Sequence, residues 1–212
     1  MVIAIDGPAG AGKSTVARAL ARRLGLTYLD SGAMYRATAL AALRSGAALD
    51  DAVAMKAVAE RVELRLDGAR VELDGEDVSE EIRTPEVSAA ASRVSVHPGV
   101  RAAMVARQRA MVDSGDYVAE GRDIGTVVSP SAPLKVFLTA SPGERARRRA
   151  AETGEPAGAV HSALSERDER DRAREHGAMR AAADAVELDT TGLDPEGVVE
   201  RVAALVRERG LA

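Results

Sequence analysis

The chain has 212 residues, of which 46% are hydrophobic, so it is long enough for one α/β domain with insertions around a substantial core. It contains no cysteine, which excludes disulfides and thiolate metal sites, and its net charge of −4 argues against binding to nucleic-acid polymers. Arginine supplies 26 of the 29 basic residues, and the lysines are Lys13, Lys56 and Lys135. The N-terminal apolar run, residues 2–5, is too short for a signal peptide or a membrane span. We therefore expect a cytoplasmic monomer with no membrane partner.

A glycine-rich segment follows that apolar run and precedes a helical pattern. It has the spacing of a P-loop, and with the next residue it reads Gly7, Pro8, Ala9, Gly10, Ala11, Gly12, Lys13, Ser14 and Thr15. In such a loop backbone N–H groups surround a phosphate at a helix N-terminus, the lysine reaches the β- and γ-phosphates, and the hydroxyl holds Mg²⁺. We predict that these residues bind ATP and that Ser14 ligates its Mg²⁺. A glycine-rich turn with a chance Gly-Lys-Ser is the alternative, and the flanking elements weigh against it.

Strand patterns recur along the chain with helical patterns between them. Five candidates outside the first excursion lie near residues 2, 26, 117, 134 and 185. This alternation predicts an α/β fold, a P-loop core with about five parallel strands flanked by helices. The final helix is expected to be capped by Asp194, to begin at Pro195 and to end at Gly210.

The first excursion from this pattern has antiparallel character. Alternating apolar residues at 62–66 and 71–73 flank Asp67-Gly68, which predicts a hairpin. We predict an inserted subdomain at about 37–93 within a single domain whose core is 1–36, 94–152 and 178–212. Ser31 is expected to cap a helix that ends near Arg44, although an ordinary capped loop is the favoured interpretation of Asp30-Ser31-Gly32 taken alone.

The second excursion, at about 153–177, begins with a hinge-like loop, Thr153 to Gly158. Arg167, Asp171 and Arg174 follow at i, i+4 and i+7, which places them on one face of a predicted helix. A solvated, salt-bridged surface is the favoured interpretation of that pattern taken alone.

The segment Gly121 to Thr126 follows a predicted strand at residues 116–120. Ligands of open α/β sheets bind beyond the carboxyl ends of the strands. Arg122 and Asp123 are therefore well placed to reach a ligand.

Together these segments resemble the bacterial cytidylate kinases, a branch of the nucleoside monophosphate kinases. The resemblance runs in family order over nearly the whole chain, through Asp6–Ser14, Leu29–Arg36, Gly75–Val78, Ile82–Thr84, Glu120–Val128 and Arg167–Arg174. The P-loop is generic, whereas the segments Ser-Gly-Ala-Met-Tyr-Arg and Gly-Arg-Asp-Ile-Gly-Thr are far more specific to that family. The chain departs from the family in a slightly short lid around 153–160 and in lacking a proline within 175–183.

The resemblance implies transfer of the ATP γ-phosphoryl group to CMP or dCMP, with Mg²⁺ as cofactor. It implies an inserted monophosphate-binding subdomain and a lid that closes to exclude water. It also implies these roles: Arg36, Arg122 and Arg174 hold the acceptor phosphate and the transferring group; Ser92, Arg101 and Asp123 read the cytosine edge; Arg167 and Asp171 reach the ribose and close the lid; Ser31 lies near the acceptor; and Lys13, Arg122, Arg167 and Arg174 act in catalysis.

No general base is expected, because the attacking phosphate oxygen is already ionised at neutral pH. His97, His161 and His176 are accordingly predicted to be incidental. Two alternatives remain: a kinase of another small acceptor such as AMP, dTMP or shikimate, and a P-loop protein that uses ATP as a switch to move a partner.

Overall fold

The computed structural model of the chain describes residues 1–211, which form both strands and helices. The strands are β1 (Val2–Asp6), β2 (Thr27–Asp30), β3 (Leu64–Asp67), β4 (Arg70–Leu73), β5 (Glu76–Asp77), β6 (Tyr117–Gly121), β7 (Leu134–Thr139) and β8 (Val186–Asp189). The helices are α1 (Lys13–Leu24), α2 (Ser31–Arg44), α3 (Ala52–Arg61), α4 (Pro85–Val94), α5 (Pro98–Val112), α6 (Pro142–Thr153), α7 (Ala157–Ala173) and α8 (Pro195–Glu208). None of these helices is long and apolar enough to cross a membrane, a finding that covers residues 1–211.

Five strands form one sheet in the order β2-β6-β1-β7-β8, which confirms the predicted α/β core. β1 lies parallel to β6 on one side and to β7 on the other, so that Ile3 is opposite both Val118 and Leu134. All five residues of β1 are buried. A central parallel strand is covered on both faces, which explains why its sequence is continuously apolar up to Asp6.

Helices α1 and α8 supply apolar residues to the core beside this sheet. Val16 and Leu20 from α1 and Val202 and Val206 from α8 share one buried cluster with Ile5. The four-residue spacing within each helix puts its pair of residues on one face, as an amphipathic helix requires. The last helix also starts as predicted.

The chain divides into two compact units. The first comprises Met1–Tyr28 together with the chain from Val112 on, and the second is Leu29–Met111. The P-loop segment and the predicted lid therefore belong to the first unit. The second unit contains the residues of the predicted insert and, in addition, residues 29–36 before it and nearly all of α5 after it.

The predicted hairpin is present in the second unit, with its turn one residue later than expected. Asp67 pairs with Arg70 across β3 and β4, so the two loop residues are Gly68 and Ala69, and Gly68 takes a φ of +57°. A positive φ favours glycine at this place. β5, too short for any alternation to reveal it, adds a third antiparallel strand.

The start of α2 corrects one capping prediction. Ser31 is the first helical residue, and Asp30 is the cap, since its Oδ1 accepts the Ala33 N–H at 2.9 Å. A carboxylate is a strong cap because it also carries negative charge to the positive end of the helix dipole.

The second excursion consists mainly of α7, which a tight connection joins to the preceding helix α6. α6 continues through Thr153 and α7 begins at Ala157, so the predicted Thr153–Gly158 hinge shortens to residues 154–156. Gly154 ends α6 with a φ of +73°. α7 ends at Ala173, and Arg174 has extended backbone outside it, so the prediction of one helical face for Arg167, Asp171 and Arg174 is wrong in its last member.

Candidate active site

The loop between β1 and α1 needs glycine for reasons of space and of backbone conformation. Gly7 has a φ of +144°, and a Cβ there would lie 2.0 Å from the Leu138 carbonyl oxygen. Gly10 has a φ of +76°, and a Cβ there would lie 2.9 Å from the Arg145 carbonyl oxygen. The loop backbone therefore packs directly on neighbouring backbone, which leaves its shape little freedom.

Lys13 is the first residue of α1 and is buried. Its Nζ donates a hydrogen bond to the Pro8 carbonyl at 2.8 Å, so the side chain folds back over the loop. Burial, with the repulsion of Arg122 next in importance, lowers the pKa of Lys13 to about 7. The loop thus gathers positive charge that an anionic phosphate would stabilise.

Ser14 and Glu120 form an oxygen-rich pair beside the loop. The Ser14 hydroxyl donates to Glu120 Oε2 at 3.0 Å, and the Tyr28 hydroxyl donates to Glu120 Oε1. Glu120 is only 3% exposed. Sequence reasoning assigned it no function, although an acidic residue at the carboxyl end of a strand beside β1 was an available signal.

Hydroxyl and carboxylate oxygens are the donors that Mg²⁺ prefers, so this pair fits the metal. Within residues 1–211, no group of three or more His, Cys, Asp or Glu could hold a metal ion. A Mg²⁺ bound here would therefore take most of its ligands from a nucleotide and from water, which is its usual behaviour in phosphoryl-transfer sites.

Asp6, the last residue of β1, holds the segment that follows β6. Its two carboxylate oxygens accept the N–H groups of Ile124 and Gly125 at 2.9 and 2.8 Å. Burial raises the pKa of Asp6 to about 6, despite the opposing effect of these two hydrogen bonds. Arg122 and Asp123 lie between β6 and this fixed segment, at the carboxyl end of the strand as the sequence predicts.

The chain after Asp123 forms an unpredicted π-helical turn, Ile124–Val128. The Asp123 carbonyl accepts the N–H of Val127 at 2.8 Å and that of Val128 at 3.3 Å. Asp123 itself is buried. Such turns are rare and occur frequently at functional sites.

Asp171 on α7 gathers three of the predicted arginines. Arg122 Nε donates to its Oδ2 at 3.0 Å, Arg174 Nη2 donates to its Oδ1, and Arg167 Nε lies 4.0 Å from Oδ2. Burial alone would raise the pKa of Asp171, yet Arg122, followed by Arg174, holds it below its usual range. The charged run of α7 is therefore partly a buried cluster of ion pairs, which the solvated-surface interpretation did not anticipate.

The sequence of the chain matches the family model described as cytidylate kinase over residues 3–208. The chain belongs to the cytidylate kinase family. It is 50% identical to the cytidylate kinase of Solibacter usitatus over 99% of this chain and 93% of that protein, and 51% identical to the one of Pelotomaculum thermopropionicum over 96% and 95%. This membership confirms the resemblance and makes the protein an ATP-dependent nucleoside monophosphate kinase.

Solved structures support the fold of the kinase. It is similar to a shikimate kinase from Acinetobacter baumannii in complex with shikimate, with a TM-score of 0.51 and 17% identity over 100% of this chain and 95% of that one. At this identity the likeness concerns the fold alone.

The second unit of the kinase carries the other predicted site residues. Arg36 Nη2 donates to Asp30 Oδ2 at 2.9 Å, and the Arg101 guanidinium lies 5.8 Å from the centre of the Tyr35 ring. Ser31, Ser92 and Arg101 are buried. Although burial opposes the shift, Arg36 and the Ala33 N–H hold the pKa of Asp30 below its usual range. The Asp30 carboxylate thus fixes the Arg36 side chain within this unit.

The structure gives the histidines no part in these clusters. The His97 ring nitrogen Nε2 is hydrogen-bonded to the Leu49 carbonyl at 2.8 Å, which is a structural contact within the second unit. His161 and His176 are exposed.

Proposed function

We propose that the protein transfers the γ-phosphoryl group of ATP to CMP, giving CDP and ADP, and that it also accepts dCMP. The observation that carries this proposal is a fully formed P-loop with its buried Lys13 in a chain that matches the cytidylate kinase family over residues 3–208. That the enzyme acts as a cytoplasmic monomer remains a prediction.

The P-loop unit would bind the nucleotide donor. The N–H groups of the loop and the ammonium of Lys13 hold its phosphates, and Ser14 together with Glu120 holds Mg²⁺. Mg²⁺ held by these two residues would supply charge neutralisation as negative charge develops during transfer. Arg122 and Arg174, held by Asp171, add fixed positive charge to the same unit. Such preorganised charge is the main contribution that a protein makes to this reaction.

The acceptor-binding roles stay proposals that the family resemblance supports. Arg36, Arg122 and Arg174 would hold phosphate, and the ribose would be read by Arg167 and Asp171. The cytosine edge offers an N4 donor and O2 and N3 acceptors, to which a carboxylate and an arginine are complementary. Asp123 and Arg101 would supply these two groups, with Ser92 beside them and Ser31 near the acceptor.

A coupled assay of ADP release with a panel of acceptors tests the proposal. We expect ready turnover with CMP and dCMP and much slower turnover with UMP, AMP, dTMP and shikimate. Preference for another acceptor would overturn the assignment. ATP hydrolysis that no monophosphate stimulates would favour the alternative of an ATP-driven switch.

A prediction about specificity concerns Asp123. Asp123→Ala removes the proposed acceptor of the cytosine amino group. The KM for CMP should therefore rise, and the difference between the KM values for CMP and UMP should become smaller. The KM for ATP should change little and serves as the internal control. Steady-state kinetics with both monophosphates measures these values. Intact discrimination would leave Asp123 with a structural role in the turn after β6.

A further inference from the structure

Glu120 is held from two sides by hydroxyl groups. One carboxylate oxygen accepts from Ser14 Oγ at 3.0 Å, and the other accepts from Tyr28. A buried carboxylate of this kind keeps one orientation only while its oxygens stay bonded. The two hydroxyls therefore share control of where the Glu120 side chain points.

The direction in which the Ser14 hydroxyl donates its proton determines whether the lone pairs of its oxygen are available to a cation. A serine hydroxyl has one hydrogen to donate and two lone pairs that accept. Because Ser14 donates its hydrogen to Glu120, the lone pairs of its oxygen face away from the carboxylate. The oxygen is then set to ligate a cation, and the Glu120 carboxylate makes this possible.

Tyr28 itself is fixed by several elements of the first unit. It is 7% exposed, and the Arg18 guanidinium lies 5.5 Å from the centre of its ring. The preceding residue, Thr27, donates its N–H to the Asp116 carbonyl at 2.9 Å, which ties the start of β2 to the residue before β6. The phenol thus reaches Glu120 from a rigid position.

We propose that Tyr28 is a positioning residue for the metal site of the kinase, and this rests on the proposed use of ATP with Mg²⁺. Its hydroxyl holds Glu120 so that Glu120 orients Ser14 toward Mg²⁺. Tyr28 touches neither the nucleotide nor the metal in this scheme. Tyr28 therefore increases the affinity of the site for the metal without contacting it.

The test uses Tyr28→Phe, which removes one oxygen and keeps the ring. The probe is Mn²⁺, whose binding to the complex of enzyme and ADP is measured by electron paramagnetic resonance. We expect the variant to bind Mn²⁺ about tenfold more weakly, the usual scale for losing a group that orients a metal ligand. The affinity for ADP without metal should stay unchanged, and raised Mg²⁺ should restore kcat.

Tyr117→Phe is the matched control. Tyr117 precedes Glu120 by three residues on β6, and alternation along a strand directs the two side chains to opposite faces. This variant should bind Mn²⁺ as the unmodified kinase does.

A second comparison guards against a folding defect. Tyr28 acts through Glu120, so adding Tyr28→Phe to Glu120→Gln should weaken Mn²⁺ binding no further. Equal Mn²⁺ affinity in the kinase and in Tyr28→Phe, or additive losses in the double variant, would overturn the positioning role and leave the proposed activity intact. If enzyme and ADP together bind Mn²⁺ no better than ADP alone, the proposed metal site itself fails.

Discussion

At the scale of the residue, Lys13 lies in the predicted phosphate-binding loop and has a lowered pKa. Its pKa of about 7, caused by burial and by Arg122, leaves much of the amine neutral in slightly alkaline solution. Bound phosphate favours the ammonium form, so ATP binding at pH 8 should take up about one proton. Isothermal titration calorimetry in two buffers with different ionisation enthalpies measures this uptake.

The matched variant for this experiment is Lys13→Arg. A guanidinium stays charged at every relevant pH, so its binding of ATP should take up almost no proton. Equal uptake in both proteins would place the proton on some other group. At pH 6, where Lys13 is already charged, uptake through this residue should disappear.

A second prediction distinguishes the arginines near the end of α7. The Arg174 side chain is 7% exposed against Asp171, whereas those of Arg170 and Arg172 are 39% and 58% exposed. If Arg174 stabilises the charge of the transferring group, Arg174→Ala should lower kcat by roughly 10²-fold or more with a smaller change in KM. Steady-state kinetics of all three alanine variants measures the contrast. Equal and small effects would contradict a catalytic role for Arg174.

At the scale of the element, the P-loop is joined to the helix pair α6 and α7. Arg145 Nη1 donates to the Ala9 carbonyl at 3.2 Å and to Asp168 Oδ2 at 2.6 Å. The Ala9 side chain packs against the small apolar cluster of Ala146, Val160 and Leu164. Both the backbone and the side chain of this loop residue are therefore fixed by the helix pair α6 and α7.

The third prediction follows from this ion pair, whose side chains are 7% and 2% exposed. Asp168→Asn leaves the Arg145 guanidinium buried without its counter-charge, which should cost about 3 kcal/mol of unfolding free energy. Urea denaturation measures this cost. Arg147→Ala is the control, because that side chain is 69% exposed and a solvent-exposed pair such as the one with Glu144 contributes little to stability. Similar losses in both variants would mean that the buried pair contributes no special stability.

Features that depend on neighbouring residues could be predicted from the sequence, whereas features that depend on distant contacts could not. The P-loop, the five core strands and the first hairpin were predictable, because each is specified by neighbouring residues. The turn at Ile124–Val128 was not, since Asp6 shapes it from 118 residues away. The Glu120 hydrogen bonds and the place of Arg174 beyond α7 likewise depend on tertiary contacts that no periodicity records.

At the scale of the whole molecule, Asp6 makes stability depend on pH. Its pKa rises from 3.8 to about 6 on folding, so the native state holds this proton more tightly than the unfolded chain does. The contribution of Asp6 is therefore fully present below pH 4 and is lost as pH rises through 6. The unfolding free energy of the kinase should fall by on the order of 2 kcal/mol relative to Asp6→Asn between pH 4 and 7.

Urea denaturation of both proteins across this range measures the difference. Asp6→Asn removes one of the two side-chain oxygens that accept backbone N–H groups, and it does so at every pH. Only the slope of the stability difference against pH is therefore informative. A flat difference would mean that Asp6 titrates alike in the folded and unfolded states.

The scarcity of lysine gives the molecule a practical property. Lys13 and Lys135 are buried, whereas the side chain of Lys56 on α3 is 57% exposed. Among the lysines, an acylating dye should therefore attach preferentially at Lys56. Because the chain lacks cysteine, a thiol introduced into the first unit would be unique. A fluorescent donor on one unit and an acceptor on the other could then follow the kinase through its reaction cycle.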